Sequence, residues 1–312
     1  MTETVRRPGR LLLVFVCAIL LGLTPVGSRP AAAASVVSSA TVTSELLGGP
    51  DRYATAVAVS KRLFPSGGAA IVYLVSGATF ADALAAGPVA ARRHGAVLLT
   101  AAAGLPAVVE DELTRLAPAK LVVVGGPSVI SDATLNRVKV VLGPGTEVAR
   151  VAGHDRYETA SLLVSAAFGA GTADTAFVAV GSAFPDALAA GSAAATLGAP
   201  VLLTRTGDLP ASTAARLRAI APSRIVIVGG PAAVSTAVAT SLKAIAPTVE
   251  RVAGTDRYST AAAVANRFLP DATAIIAATG LTYPDALAAV PLAGSLGAPI
   301  LLVLPDAVPT ST

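Results

Sequence analysis

Gly153-His154-Asp155-Arg156-Tyr157-Glu158-Thr159-Ala160 decides the reading of this chain, because close copies of it stand at 49–56 and 254–261. Asp51, Asp155 and Asp256 mark the copies, 104 and then 101 residues apart. A second signature follows each one: Phe80-Ala81-Asp82-Ala83-Leu84-Ala85-Ala86-Gly87, Phe184-Pro185-Asp186-Ala187-Leu188-Ala189-Ala190-Gly191, and Tyr283-Pro284-Asp285-Ala286-Leu287-Ala288-Ala289. Its Asp lies 31, 31 and 29 residues after the first. A third element, a variant of Gly-Ala-Pro-Ile-Leu-Leu, recurs at 95–100, 198–204 and 297–303. Three signatures in a fixed order, repeated three times, describe one unit used three times.

A unit near 100 residues is too long for a solenoid repeat and long enough to bury its own core. The chain therefore reads as tandem small domains. Hydrophobic residues make up 54% of the sequence and aromatics only 4%. Most of the excess is Ala and Val, which favours close packing of helix on sheet. Within the first unit, short continuous apolar runs at 70–75, 96–99 and 121–124 predict strands, after a short one at 44–47. Helices are predicted from Asp51, over 80–93, 106–116 and 132–141. The second unit repeats the order with strands at 176–180, 201–203 and 225–228 and helices at 186–197, 210–220 and 235–245. Strands apolar on both faces, alternating with helices, predict an α/β fold of tandem small domains, each a parallel sheet flanked by helices.

The predicted boundaries are 45–147, 148–249 and 250–312, with loops at 143–147 and 247–250 between units. The third unit has its strands at 273–277 and 300–304 and a helix at 285–296, but no Val-Gly-Gly in register with Gly125-Gly126 and Gly229-Gly230. A final strand expected at a sheet edge is missing from it. That predicts a weakened or partner-completed domain with an exposed apolar edge, and self-association is one way to complete it.

The formal charge of +4 invites a nucleic-acid reading. However, Arg6, Arg7, Arg10 and Arg29 against Glu3 account for the imbalance: without the first 34 residues, 19 basic and 18 acidic residues remain. Such a balance gives no broad field for a polyanion, so any anion site is local and nucleic acid is not the expected partner. The same N-terminal stretch has a basic start, an apolar run at 11–23 and small residues ending in Ala31-Ala32-Ala33-Ala34. This is the plan of a signal peptide over 1–34, with a polar linker at 35–44. The run is short for a bilayer span, so no transmembrane segment is expected after cleavage. Arg6-Arg7 leaves the general and the twin-arginine export routes both open. Cys17 is the one cysteine and lies in the leader, so disulfides, thiol catalysis and Cys-metal sites are not expected.

In Asp-Arg-Tyr, the structural reading makes Asp51, Asp155 and Asp256 helix caps and pairs Arg52 with Asp82, Arg156 with Asp186 and Arg257 with Asp285. The functional reading points Arg52, Arg156 and Arg257 at an anionic ligand, since a guanidinium matches carboxylate and phosphate. Asp82, Asp186 and Asp285 supply one acid per unit, not the pair that glycosidase chemistry uses, and read as structural. No Gly-x-Gly-x-x-Gly, Gly-Lys-Ser/Thr, Gly-x-Ser-x-Gly or His-Glu-x-x-His occurs. No catalytic residue, metal site or cofactor is predicted.

With these motifs in hand, the chain resembles the type 2 cell-wall-binding repeat family of Gram-positive surface proteins over nearly all of 45–312. The resemblance implies three α/β repeats packed in a pseudo-threefold arrangement. It also implies non-covalent attachment of a secreted surface protein to an anionic cell-wall polymer or peptidoglycan, a form of polysaccharide binding. The family's Pro-Ile-Leu-Leu stretch is implicated in that binding and maps to Pro299-Ile300-Leu301-Leu302 and, with one change, to Pro200-Val201-Leu202-Leu203. The first unit departs from it with Ala96-Val97-Leu98-Leu99. Relatives often carry a hydrolase, so a wall hydrolase of the N-acetylmuramoyl-L-alanine amidase type is one alternative. An extracellular small-ligand binder is another.

Overall fold

Each Asp of the first signature caps a helix. In the computed structural model, which describes residues 12–16 and 43–312 and gives side chains for 43–312, Asp51 accepts hydrogen bonds from the main-chain N–H groups of Tyr53 and Ala54 at the start of α1 (Arg52–Leu63). Asp155 and Asp256 do the same for α5 (Arg156–Ser165) and α9 (Arg257–Phe268). A cap of this kind stabilises a helix by about 1 kcal/mol. The Gly two residues earlier donates its N–H to the Thr four residues after Asp: Gly49 to Thr55, Gly153 to Thr159, Gly254 to Thr260, at 3.2, 3.0 and 3.0 Å.

The chain then runs through β3 (Ile71–Ser76), α2 (Ala86–Arg92), β4 (Ala96–Thr100), α3 (Ala107–Leu116), β5 (Lys120–Val124), α4 (Asp132–Leu142) and β6 (Glu147–Val151). The second unit repeats this after α5 as β7 (Thr175–Val180), α6 (Pro185–Leu197), β8 (Val201–Thr204), α7 (Ala211–Ile220), β9 (Arg224–Val228), α8 (Thr236–Lys243) and β10 (Thr248–Val252). After α9 come β11 (Ala274–Thr279), α10 (Pro284–Leu296) and β12 (Ile300–Val303). The N-terminal part supplies β1 (Leu12–Val16) and β2 (Thr43–Leu47).

These strands form three wholly parallel four-stranded sheets, ordered β4-β3-β5-β6, β8-β7-β9-β10 and β12-β11-β1-β2. Parallel sheets are stable when both faces are covered, and β3 is buried at every position. Its alternate residues feed two cores: Ile71, Tyr73 and Val75 face the centre of the molecule, whereas Val72 and Leu74 join an outer core with Val109, Leu113 and Val138 from α3 and α4.

The three second-signature helices α2, α6 and α10 pack on one another at the centre. Their Ala-rich faces permit the close approach. The rings of Phe80, Phe184 and Tyr283 meet there, with centroids 5.7, 5.7 and 6.0 Å apart. Further along, Val290 fills the room left by Gly87 and Gly191: a Cβ on Gly87 would stand 2.6 Å from the Val290 side chain. The first-signature helices link the ring, α1 packing on α10, α9 on α6 and α5 on α2.

Several expectations are corrected. The missing strand of the third unit is interior in the other two sheets, not at an edge, and in the third sheet β1 occupies it. The segments 143–147 and 247–250, expected as loops, open onto β6 and β10, which close the preceding sheets. The helix expected over 80–93 begins only at Ala86, after turns in which Ala83 and Ala86 donate to the carbonyls of Phe80 and Ala83. Pro185 and Pro284 start α6 and α10 early, and the first unit has Ala81 at that place. Of the leader and linker expected over 1–44, only β1 and residues 43–44, which open β2, lie within the described residues. In the third sheet β11 and β12 keep Ile275, Leu301 and Val303 half-buried, so one face of this sheet is covered less than its counterparts.

Candidate binding grooves at the module junctions

The Arg and Tyr of the first signature both act on the glycine that ends the first strand of their own module. Arg52, Arg156 and Arg257 donate from Nη1 to the carbonyls of Gly77, Gly181 and Gly280, the latter two at 2.7 and 2.6 Å. Tyr53, Tyr157 and Tyr258 lie over the same glycines, where a Cβ would come within 2.7, 2.8 and 2.6 Å of the ring. The Asp of the second signature turns to a different glycine: a Cβ on Gly125 or Gly229 would stand 3.1 or 2.4 Å from Oδ2 of Asp82 or Asp186. Both glycines have positive φ, 106° and 112°, which only glycine adopts without strain. The Gly-Gly-Pro turn is thus held against the helix start.

The expected pairing of Arg156 with Asp186 within the second module is not what forms. Arg156 is tied to Gly181, and the cation that faces Asp186 is Arg257 of the next module. Burial raises the Asp186 carboxyl above its ordinary range, and Arg257 offsets this in part. Arg257 also lies 5.8 Å from the centroid of the Phe184 ring. At the third-to-first junction, Arg52 stands beside the Tyr283 hydroxyl. Burial raises that hydroxyl and the Arg52 guanidinium offsets part of the rise, leaving it at about 12. The physical reason is the ring arrangement: each first-signature helix lies on the neighbouring module's second-signature helix.

Between the second and third modules, this arrangement leaves a groove of about 430 Å³ whose lining includes Val180, Asp186, Gly230, Asp256 and Arg257. It lies beyond the carboxyl ends of β7 and β9, where open parallel sheets hold ligands. The N-termini of α6 and α9 both border it, and the positive ends of their dipoles favour negative charge, met at α9 in part by the Asp256 cap. The acids in it shift in opposite directions: Asp256 is held below the usual range by hydrogen bonds from Ser259, while Asp186 is raised.

The remaining sequence candidates are placed differently. Pro200, Val201, Leu202 and Leu203 are buried, the last three in β8, where α5 and α6 cover them. Pro299, Ile300 and Leu302 are buried too, and Leu301 is half-buried. Asp285 is also buried, at the start of α10. Residues that sequence reasoning passed over are Arg150 and Arg251. Arg150 donates to Gly125 and Ile130 at 2.7 and 2.9 Å, and Arg251 to Gly229 and Val234 at 2.6 and 2.8 Å, holding the same turns from β6 and β10. The shared Arg-Val ahead of Gly153 and of Gly254 was the available signal, and the first copy has Leu46-Leu47 ahead of Gly49 instead. Arg205 was also missed: its guanidinium sits 4.9 Å from the Tyr157 ring centroid and 2.8 Å from Asp208.

Among the described residues no cluster of His, Cys, Asp and Glu is arranged to hold a metal ion, and no helix is long and apolar enough to cross a membrane. Three parallel α/β modules closed into a ring, with one arginine-bearing junction between each pair, define a repeat-built binding unit. The chain belongs to the Cell wall binding domain 2 (CWB2) family, which it matches over 47–135, 150–239 and 251–312. It is 30% identical over 247 residues to the N-acetylmuramoyl-L-alanine amidase LytC of Bacillus subtilis (strain 168), covering 79% of this chain and 47% of that protein. It is 30% identical over 263 residues to the Amidase enhancer of the same organism, covering 84% of this chain and 35% of that protein. Among solved structures it is similar to Cwp8 from Clostridium difficile, with a TM-score of 0.76 and 35% identity over 84% of this chain and 45% of that one. Cwp6 from Clostridium difficile gives a TM-score of 0.78 and 29% identity over 84% and 42%. The chain spans less than half the length of each of these relatives.

Proposed function

We propose that the three modules hold an exported protein at the cell wall by binding an anionic wall polymer in the junction grooves. The observation that carries this reading is the groove between the second and third modules, where two helix N-termini and the Arg257 guanidinium converge. The Nη1 donor of each signature arginine is committed to its glycine carbonyl, which fixes the planar guanidinium, a group whose geometry matches phosphate and carboxylate. The apolar Pro-Val-Leu-Leu and Pro-Ile-Leu-Leu stretches then serve as strands of the sheets and do not line this groove. Amidase chemistry belongs to a named relative less than half of whose length this chain covers, and no group of residues described above favours it here.

The test is co-sedimentation of the purified protein with isolated cell walls. Retention is expected, with release as salt rises, and walls stripped of their anionic polymers should retain little. Arg257→Gln should weaken retention and leave the thermal midpoint within a few degrees. Binding indifferent to salt, and equal on stripped walls, would overturn the proposal.

A further inference from the structure

In all three caps the helix bonds fall on one carboxylate oxygen. Oδ1 of Asp51 accepts from the N–H groups of Tyr53 and Ala54, Oδ1 of Asp155 from those of Tyr157 and Glu158, and Oδ1 of Asp256 from that of Ser259. In the second module the other oxygen meets a cation: Oδ2 of Asp155 lies 3.4 Å from Nη2 of Arg205, whose guanidinium also covers the Tyr157 ring. The register of the sheets identifies the counterparts of Arg205. Thr204 lies opposite Val180, as Thr100 lies opposite Ser76 and Val303 opposite Thr279, so the next residues, Arg205, Ala101 and Leu304, hold equivalent places. The chain thus supplies a cation to one cap carboxylate at this place and an apolar residue to the other two.

Asp256 is one of those two, and it lines the groove between the second and third modules. Among the described residues, the charged groups of that lining are Asp186, Asp256 and Arg257. Arg257 suits an anion. Asp256 does not: its bonds from Ser259 hold it below the usual carboxylate range, so it is ionised at neutral pH. A ligand bringing negative charge alone would set that charge against this carboxylate. One that carries an ammonium beside its anionic group meets both side chains.

We propose that Asp256 is an ammonium subsite of this groove and that the wall polymer held there is zwitterionic, each bound repeat offering a phosphate or carboxylate to Arg257 and a free amine to Asp256, a refinement that rests on the polymer binding proposed above. Arg205 displays the arrangement from within the chain, as a cation held between a cap carboxylate and the tyrosine two residues on. At Asp256 the corresponding ring is Tyr258, and an ammonium over its face gains a cation–π contact as well.

The experiment compares retention of the purified full chain on untreated walls and on walls whose free amines have been N-acetylated. Acetylation removes positive charge from the wall, so a groove that meets anions alone should hold such walls as well or better. The ammonium subsite gives the opposite sign, a loss of about threefold, the scale of an exposed ion pair. Walls treated instead with mild alkali, which removes ester-linked amino acids, name the source of the amine: an equal loss marks an aminoacyl ester, and undiminished binding marks an amino sugar. Asp256→Asn keeps a residue that caps a helix about as well, and should show the loss on untreated walls with no further loss on acetylated ones. Leu304→Arg, which copies Arg205 and leaves the cap in place, should likewise make retention indifferent to acetylation. Equal or tighter binding of the parent chain to acetylated walls would overturn the subsite and leave the anionic-polymer reading standing, and so would an Asp256→Asn chain that still responds to acetylation. Failure to bind untreated walls would overturn both.

Discussion

The junctions and the central axis treat the repeat in opposite ways. At the three junctions the same residues do the same work: Asp caps, Arg donates to a strand-end carbonyl, Tyr covers the glycine and Thr accepts from the glycine before the cap. At the axis the copies diverge, with Gly87 and Gly191 facing Val290. A junction residue must satisfy backbone groups in fixed directions, so each copy has few solutions. An axis residue has only to fill a volume shared by three helices, so one large side chain and two absent ones serve as well as three alike.

The largest expected effect tests the junction. A Cβ on Gly254 would stand 2.4 Å from the main-chain carbon of Ser259, and one on Gly153 2.7 Å from the main-chain nitrogen of Thr159. Backbone in the first turn of a capped helix cannot move without losing the cap. Gly254→Ala is expected to cost about 3 kcal/mol, adding the upper range of overpacking to part of a capping interaction. Urea unfolding measures this. A loss near zero would show that the repeated glycine is not required by the space around it.

The axis should respond less, and reversibly. Gly87→Val places a side chain against Val290 and is expected to cost about 2 kcal/mol. Its neighbour is itself a side chain, so Val290→Gly in the same protein should remove the clash and restore all but about 1 kcal/mol, through a coupling that a double-mutant cycle reads directly. Costs that simply add would mean that the three helices do not share this volume. No such swap is expected to rescue Gly254→Ala, because its obstacle is main chain.

The same contrast explains how much of the molecule could be read from its sequence. The junction signature was legible because its residues recur, and Asp51, Asp155 and Asp256 occupy the cap positions that their chemistry suggests. The strand and helix order of the first two modules was legible from apolar runs ended by glycine. The partner of each arginine was not, since nothing in one repeat says whether Arg257 meets the Asp of its own module or of its neighbour. β6 and β10 escaped notice because Glu147, Arg150, Glu250 and Arg251 break the apolar pattern, and each strand closes the sheet of the module before it. β1 escaped for another reason: its run already had a reading as a leader, and pairing with β11 joins segments from opposite ends of the sequence. Of the groove, the arginines were named in advance. The convergence of two helix N-termini around them depends on how neighbouring modules dock.

The smallest expected effect lies inside the groove itself, where two carboxylates separate by sign. Burial raises Asp186, so the folded state binds its proton more tightly than the unfolded chain does. Stability from this group is greatest below the ordinary carboxylate range and falls as pH rises through the raised value. Asp256 is lowered by its bonds from Ser259, so its contribution is present above the ordinary range and is lost as pH falls through the lowered value. Asp186→Asn should therefore gain stability relative to the parent as pH rises from about 3 to about 7, and Asp256→Asn should lose it over the same interval. Urea midpoints across that range test both. Two difference curves of the same sign would mean that the groove treats its capping carboxylate and its half-buried carboxylate alike. In that case neither helix N-terminus would be setting the local charge, and the arginine would be left as the one feature drawing an anion to the junction.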